Sequence, residues 1–295
     1  MKSCQFNILN RLTLVGAVIV LSWDTACNRI GTPASVRERP DVIVVTIDTL
    51  RADRVGVLGG PANTTPAIDA LARSGALFLD ATAHAPLTLP SHASILTGLY
   101  PPHHGVHDNS GFALADTVPT LATVLHDAGY HTAASVSSFV LRGSTGLARG
   151  FDEYDDRFEG AGRSRLTVSS LERRGPEAGR AAARWLATAP RPYFLWLHLY
   201  DPHAPYDPPP AFAARFPGHP YDGEVAAADF GVSTLLGALD AERRRGTVIV
   251  VTGDHGESLG EHGEPEHGLL LYEATLHVPL VIVGPGVAAG SVVRR

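Results

Sequence analysis

Lysine and cysteine are almost missing from this sequence. Of its 24 basic residues, only Lys2 is lysine, and the remainder are arginine. The two cysteines, Cys4 and Cys27, both lie within the first 27 residues. The body of the protein therefore has no thiol nucleophile, no cysteine metal site and no internal disulfide. Any chemistry that needs a lysine side chain is excluded beyond residue 2.

The rest of the composition is typical of a globular protein. A length of 295 residues predicts one large domain or two small ones. Apolar residues make up 44% and charged residues 18%, which excludes disordered, collagen-like and coiled-coil classes. The net charge is −6 and no basic patch is evident, so we expect no nucleic-acid partner. The 14 histidines are more than the composition otherwise explains.

Residues 1–26 have the pattern of an export signal. Lys2 and Arg11 supply positive charge before an apolar run from Leu12 to Trp23. A run of about a dozen residues suits a signal peptide and is short for a membrane span, which needs about 20. An uncleaved anchor helix is the alternative interpretation.

The end of this segment resembles a bacterial lipobox. Thr25 and Ala26 precede Cys27, the residue that would carry the lipid, although Asp24 stands where the motif has an apolar residue. We expect export to the periplasm or cell envelope, either free or lipid-anchored, with membrane contact only through such an anchor. Residues 27–40 are predicted to be a linker, and residues 41–295 the main domain.

Strand patterns alternate with helical patterns along the main domain. Continuous apolar runs such as Asp41–Ile47 are typical of strands buried on both faces. The alternation predicts a three-layer α/β/α sandwich around a mostly parallel sheet. The predicted strands are Asp41–Ile47, His131–Val136, Tyr193–Leu199, Thr247–Thr252 and Val278–Val283. The predicted helices are Pro66–Ser74, Pro90–Thr97, Val118–Ala128, Pro176–Ala189 and Asp222–Arg244. Arg142–Leu171 and Asp201–Gly223 are predicted to be long surface loops.

Acidic and histidine side chains follow three of the predicted strands. Asp48 follows the first, Asp254 and His255 follow the strand at Thr247–Thr252, and Asp201 and His203 follow the strand at Tyr193–Leu199. In parallel sheets the chemistry lies beyond the carboxyl ends of the strands. Two carboxylates with one imidazole suit a divalent cation such as Mn²⁺ or Zn²⁺, with Ca²⁺ a less natural choice.

A hydroxyl group is predicted beside a helix amino terminus. Thr88 lies just before the predicted helix that begins at Pro90 and that Gly98 would end. Free backbone N–H groups and the helix dipole favour a phosphate or sulfate there. A hydroxyl between a metal and such a helix end is placed to attack the anion, because the metal lowers its pKa. The alternative is that Thr88 is an ordinary helix cap.

Five segments of the chain together resemble the sulfatase family of the alkaline phosphatase superfamily. They occur in family order from about residue 41 to the end. The segments are VVTIDTLRAD (44–53), TTPAIDALA (64–72), PSHASILTGLYP (90–101), HLYDPHAPY (198–206) and TGDHGESLGEHG (252–263). The resemblance implies an alkaline phosphatase-like fold and a metal-dependent hydrolase of sulfate or phosphate esters.

The resemblance also implies roles for individual residues. It makes Asp48, Asp254 and His255 ligands of one divalent cation and places Thr88 at the position of the nucleophile. His203 matches a histidine that contacts the transferred group or assists the leaving group. The further candidates for the active site are His92, His104, Asp201, His262 and His267. The implied substrate is a small-molecule, lipid or glycan ester.

Three departures from the family pattern concern the reaction. Sulfate-ester hydrolases of the family convert a cysteine or serine to formylglycine, whereas Thr88 is not a substrate for that conversion. Their arginine two residues beyond the proline is His92 here, and their Gly-Lys-x-His element has no counterpart in the stretch around Val136. A threonine nucleophile and an Asp-His pair instead resemble the phospho-transferring relatives. We therefore expect no formylglycine and favour phosphoester chemistry over sulfate chemistry.

A second hypothesis belongs to another functional class. Family members usually continue beyond the position that corresponds to Arg295, so we expect the domain to be incomplete at its carboxyl end. The chain would then be a catalytically impaired, sulfatase-like binding protein. Uptake of a divalent cation discriminates between the two hypotheses.

Overall fold

The computed structural model describes residues 39–158 and 172–294. The chain divides into two units, Met1–Arg39 and Pro40–Arg295, and nearly all described residues belong to the second. The expected signal peptide and Cys27 lie outside the described residues. Within the described ranges, no helix has both the length and the apolar composition that crossing a membrane requires.

A sheet of eight strands runs through the described chain. The order across the sheet is β4-β3-β5-β1-β6-β7-β2-β8. β7 pairs antiparallel with β6 and with β2, whereas the other neighbouring strands are parallel, which confirms the expected mostly parallel sheet. The strands are β1 (Asp41–Ile47), β2 (Ala76–Phe78), β3 (His131–Ser135), β4 (Glu153–Asp155), β5 (Tyr193–Leu199), β6 (Thr247–Gly253), β7 (Leu280–Val283) and β8 (Ser291–Val293).

The central strands bury side chains on both faces. Successive residues of a strand point to opposite faces, so Ile43 and Val45 enter one apolar core while Val44 enters the other. In β5, Leu195 joins the first core and Trp196 the second. The central strands do not alternate between polar and apolar residues, because helices cover both faces of the sheet.

Helices form the two outer layers of a three-layer α/β/α sandwich. The first core includes residues of α1, α5 and α7, and the second includes residues of α2 and α4, so the expected fold class is confirmed. The helices are α1 (Pro66–Ser74), α2 (Thr88–Thr97), α3 (Pro101–His104), α4 (Leu121–Asp127), α5 (Gly175–Thr188), α6 (Pro210–Ala213), α7 (Pro220–Gly237), α8 (Ala241–Gly246) and α9 (Glu273–Leu276).

The predicted long helix Asp222–Arg244 is wrong, since two helices occupy this stretch. α7 ends at Gly237, and the carboxylate of Asp240 then accepts hydrogen bonds from the N–H groups of Glu242 and Arg243. An aspartate that caps the next helix in this way ends the first one. The end of the predicted loop Asp201–Gly223 is also helical, because Pro220 is the first residue of α7.

Helix α2 begins two residues earlier than predicted. Thr88 is its first residue, so it belongs to the first turn and does not precede the helix. Gly98 ends the helix with a φ of 69°, as predicted, and glycine adopts this left-handed conformation without a steric penalty.

The register of β1 and β6 brings two carboxylates together. The strands are parallel, and Ile47 of β1 lies opposite Gly253 of β6. The next residues, Asp48 and Asp254, therefore leave the same edge of the sheet side by side. On the other flank of β1, Thr46 lies opposite His198 of β5, which brings an imidazole to the same edge.

Candidate active site

Four side chains meet at the carboxyl edge of β1 and β6. One ligand atom from each of Asp48, Asp254 and His255 lies within 4.8 Å of the other two, a group that could hold a metal ion. The hydroxyl oxygen of Thr88 lies 3.5 Å from Oδ1 of Asp48 and 3.5 Å from Nε2 of His255. All four side chains are buried. The structure thus brings together the four residues that the sequence singled out.

His255 is held as a neutral imidazole with one nitrogen aimed into the cluster. Its Nδ1 lies 2.9 Å from the carbonyl oxygen of Gly256 and so donates to it. Burial and the neighbouring His267 lower the pKa of His255 to about 3. The Nε2 lone pair, 3.5 Å from Oδ2 of Asp254, is therefore free for a cation, which is the usual state of a histidine metal ligand.

The two buried carboxylates repel each other and are suited to bind a divalent cation between them. Oδ2 of Asp48 and Oδ2 of Asp254 are buried and have no hydrogen-bond partner among the described residues. Burial and the charge of Asp48 raise the pKa of Asp254 well above its usual range. Burial alone would raise the pKa of Asp48 too, but the imidazoles of His198, His203 and His255 hold it below its usual value. A cation between the carboxylates would remove their repulsion and satisfy the unpartnered oxygens.

Two backbone N–H groups and one serine hydroxyl orient Asp254. Oδ1 of Asp254 accepts hydrogen bonds from the N–H groups of Thr49 and His255, at 3.1 and 2.7 Å. Thr49 can donate because its backbone turns into the left-handed region, with a φ of 53°. The hydroxyl of Ser91 donates to the carbonyl oxygen of Asp254 at 2.6 Å.

His198 is a part of the site that sequence reasoning missed. The N–H group of Ser137 donates to its Nδ1 at 3.2 Å, so the ring proton is on Nε2. That nitrogen lies 3.5 Å from Oδ2 of Asp48 and is fully buried. The register of β5 could have revealed this residue, because every second side chain of the strand faces the same core as Thr46.

The amino terminus of α2 presents polar groups beside Thr88. The N–H group of Leu89 donates to Oδ1 of Asn109 at 2.8 Å, which holds the amide of Asn109 next to the first turn of the helix. Sequence reasoning also missed Asn109, since no spacing rule connects it to Thr88. His92 is buried behind this turn, with Nδ1 2.8 Å from the carbonyl oxygen of Thr88 and Nε2 2.9 Å from the hydroxyl of Thr46. His92 therefore supports the turn from inside the core.

Two further histidines border the cluster. The ring of His267 lies 4.5 Å from that of His255 and 5.1 Å from that of His203. Nδ1 of His203 lies 2.7 Å from the carbonyl oxygen of Ala204 and so donates to it, which leaves Nε2 to exchange a proton. Burial alone would lower the pKa of His267, but the carboxylate of Glu257, 3.0 Å away, raises it above its usual value. Glu257 is another residue that sequence reasoning missed.

The other three candidates have partners outside the cluster. His104 is buried between the hydroxyl of Ser94 and the N–H group of Val106. Asp201 accepts a hydrogen bond from the N–H group of Gly175, the first residue of α5, and so caps that helix. His262 is exposed and stacks on Tyr272 with ring centroids 3.7 Å apart.

Comparison with known proteins places the chain in a family. The model of the family described as Sulfatase matches residues 40–294. The chain belongs to the sulfatase family. The match spans the whole of the described sheet and all four clustered residues.

Family members and solved structures match this chain at modest sequence identity. The chain is 25% identical to the uncharacterized sulfatase YidJ of Escherichia coli (strain K12), over 84% of this chain and 63% of YidJ. Ps i-CgsB, solved in complex with k-i-k-neocarrahexaose, is 25% identical with a TM-score of 0.72, covering 86% of this chain and 68% of that one. The phosphonate monoester hydrolase of Agrobacterium radiobacter has the same fold, with 22% identity, a TM-score of 0.69 and coverage of 87% and 71%. The chain thus spans less than two thirds of the length of YidJ.

Proposed function

We propose that this protein is a metal-dependent ester hydrolase in which Thr88 is the nucleophile and phosphate esters are preferred over sulfate esters. One observation carries the proposal. The Thr88 hydroxyl lies 3.5 Å from two of the residues that could hold a metal ion, and Thr88 is the first residue of a helix whose dipole favours an anion at this end.

Asp48, Thr88, Asp254 and His255 would hold the cation. When bound, it lowers the pKa of the Thr88 hydroxyl and offsets negative charge on the transferred group. The imidazole of His255 favours Mn²⁺ or Zn²⁺ over Ca²⁺, which prefers oxygen ligands alone.

The residues of the chain then divide the reaction into two steps. Thr88, having lost its proton to solvent, attacks the phosphorus atom in line, so that an Oγ1–P bond forms and the ester P–O bond breaks. The leaving oxygen takes a proton from Nε2 of His203. Water next gives a proton to His203 and attacks the same phosphorus, which breaks the Oγ1–P bond. The amide N–H groups of Asn109, together with the positive end of the α2 dipole, would stabilise the negative oxygens throughout.

The preference for phosphate rests on the side chains that the chain lacks. Without cysteine after residue 27 or lysine after residue 2, it offers neither a cysteine-derived formylglycine nor a lysine contact to sulfate. Ser137, in the stretch where the family has that lysine, is instead hydrogen-bonded to His198. We propose as substrate a small-molecule, lipid or glycan ester outside the cytoplasm, with export through residues 1–26 and a lipid on Cys27 as the optional anchor.

The variants Thr88→Ala and Thr88→Ser test the nucleophile. We expect T88A to lower kcat by at least about 10³-fold, because no other hydroxyl replaces the attacking oxygen, and T88S to retain part of the activity. The assay is a panel of phosphomonoester, phosphodiester, phosphonate and sulfate-ester substrates, each with Mn²⁺, Zn²⁺ or Ca²⁺. Unchanged turnover in T88A would rule out Thr88 as the nucleophile. If the wild-type protein turns over sulfate esters faster than phosphate esters, the proposed preference is wrong.

A binding protein on the same scaffold is the second candidate. It is favoured by the absence of the lysine, and by His92 at the position of the arginine, that sulfate-ester hydrolases of the family have. For this candidate the wild-type chain takes up no divalent cation and turns over none of the panel. Metal analysis of the purified protein beside the same assay therefore separates the two functions.

A further inference from the structure

Four arginines converge on one groove at the edge of the sheet. The groove has a volume of about 490 Å³ and runs between α5 and the end of the edge strand β4. It is lined by Arg157 after β4, Arg173 before α5, and Arg180 and Arg184 on α5, together with the acidic residues Asp155 and Glu177. Guanidinium groups bind sulfate and phosphate through paired N–H donors, so four of them in one groove favour the binding of such an anion.

Ion pairs within the groove leave positive charge uncompensated. Asp155 is already paired with Arg157 and Arg173, at 2.7 and 3.0 Å. No carboxylate of the described chain forms an ion pair with Arg180 or Arg184, although Glu177 lines the same groove. Arg180 and Arg184 are exposed and four residues apart, so they lie on one face of α5.

Arg173 is the fixed floor of the groove. Its side chain is 8% exposed, and its guanidinium group donates to the hydroxyl of Ser135, the carboxylate of Asp155 and the carbonyl oxygen of Arg157. A guanidinium group held in place loses little conformational freedom when an anion binds beside it.

The end of the groove that holds Arg157 and Arg173 lies at the same edge of the sheet as the metal cluster, whereas Arg180 and Arg184 follow along α5 toward the opposite edge. The N–H group of Arg173 donates to the carbonyl oxygen of Ser137, whose own N–H group donates to His198, which lies 3.5 Å from Asp48. β4 is three strands away from β1, which corresponds to about 15 Å. Arg180 and Arg184 lie about 7 and 14 Å farther along α5 from Gly175, so a substrate of several extended units is needed to reach both places.

We propose that this groove binds a second sulfate or phosphate group of a polyanionic substrate while its scissile ester lies at Thr88. The part that concerns Thr88 rests on the proposed function, whereas anion binding in the groove does not. The substrate class is therefore an ester that carries at least two tetrahedral oxyanions, such as a multiply sulfated or phosphorylated glycan.

Binding in the presence of EDTA tests the groove without the proposed chemistry. The double variant Arg180→Gln/Arg184→Gln removes its two exposed charges. The matched control, Arg244→Gln/Arg245→Gln, removes the same charge from exposed positions of α8, which precedes the amino end of β6 at the opposite edge. The probes are a heparin-derived tetrasaccharide and inositol hexakisphosphate at one fixed ionic strength, titrated by calorimetry.

We expect the groove variant to weaken binding of at least one probe by about fivefold or more, and the control by less than about twofold. The probe that loses more affinity identifies sulfate or phosphate as the preferred group. Equal losses of affinity in the two double variants would show that only the overall charge matters and would overturn the proposal. Unchanged affinity in both variants would overturn it as well. If T88A remains active while the groove variant loses binding, the groove stands and the proposed function fails.

Discussion

Thr88, Asp48, Asp254 and His255 come from three separate stretches of the sequence and share one buried cluster. Their geometry depends on side chains that do not join the cluster themselves. His198 is the clearest case, because its tautomer is set by Ser137 and its Nε2 faces Oδ2 of Asp48. Residues that orient ligands in this way commonly change metal affinity by about 10- to 100-fold when they are replaced.

His198→Phe is therefore expected to weaken binding of Mn²⁺ or Zn²⁺ by about tenfold or more. The phenyl ring fills similar space but places no N–H group beside Oδ2 of Asp48. His198→Gln keeps an N–H donor and should recover part of the affinity, which distinguishes orientation from simple packing. Calorimetric titration of the metal measures the effect, and circular dichroism checks that both variants fold. Equal affinity in H198F and the wild type would exclude the orienting role.

At the scale of elements, helix α2 positions Thr88 and Asn109 beside the metal cluster. Its first turn holds Thr88 and donates to Asn109, and its last turn ends at Gly98. Sequence reasoning found the helix but placed its start at Pro90. Pro90 was predicted to be the first residue of the helix, whereas it is the third. Proline is tolerated at either position, because N–H groups of the first turn have no partner within the helix.

Gly98→Ala is expected to destabilise the protein by about 1 kcal/mol, because alanine is strained at a φ of 69°. A Cβ at Gly98 would meet nothing within 4 Å, so the cost is conformational and not a clash. Gly237, the last residue of α7, also has open space but no positive φ. Gly237→Ala is the matched control and should be neutral or stabilising by up to about 1 kcal/mol. Urea denaturation measures both, and equal effects would contradict the conformational explanation.

At the scale of the whole molecule, one acidic network makes stability depend on pH. Glu224 of α7 is buried, and its carboxylate accepts from the guanidinium group of Arg174, before α5, and from the N–H group of Asp207. Burial and the charge of Asp201 raise the pKa of Glu224 to about 8. The folded protein therefore holds a proton on Glu224 that the unfolded chain has already lost near pH 5.

The contribution of Glu224 to stability is present below its unfolded pKa of about 4.5 and is lost as the pH rises toward 8. Glu224→Gln keeps the acceptor oxygen and removes the titration. We expect the free energy of unfolding to fall less in E224Q than in the wild type between pH 5 and pH 8. Denaturant titrations at several pH values measure this slope, and parallel curves for the two proteins would show that Glu224 does not titrate as described.

Much of the site followed from local patterns. Residues that follow neighbouring parallel strands lie at the same edge of the sheet. The sequence alone therefore predicts that Asp48, Asp254 and His255 lie close together. Other features have no local signature. The break between α7 and α8 depends on one capping aspartate, and the roles of His198, Asn109 and Glu257 depend on contacts between residues far apart in the chain.

The amino-acid sequence alone establishes which chemical groups are available: arginine in place of lysine, no cysteine after Cys27, and threonine at position 88. Composition settles this because a missing functional group cannot be restored by folding. Which groups meet was decided by packing. Strand register set Asp48 beside Asp254, a backbone N–H group selected the tautomer of His198, and the packing of α5 beside β4 brought four arginines to one groove.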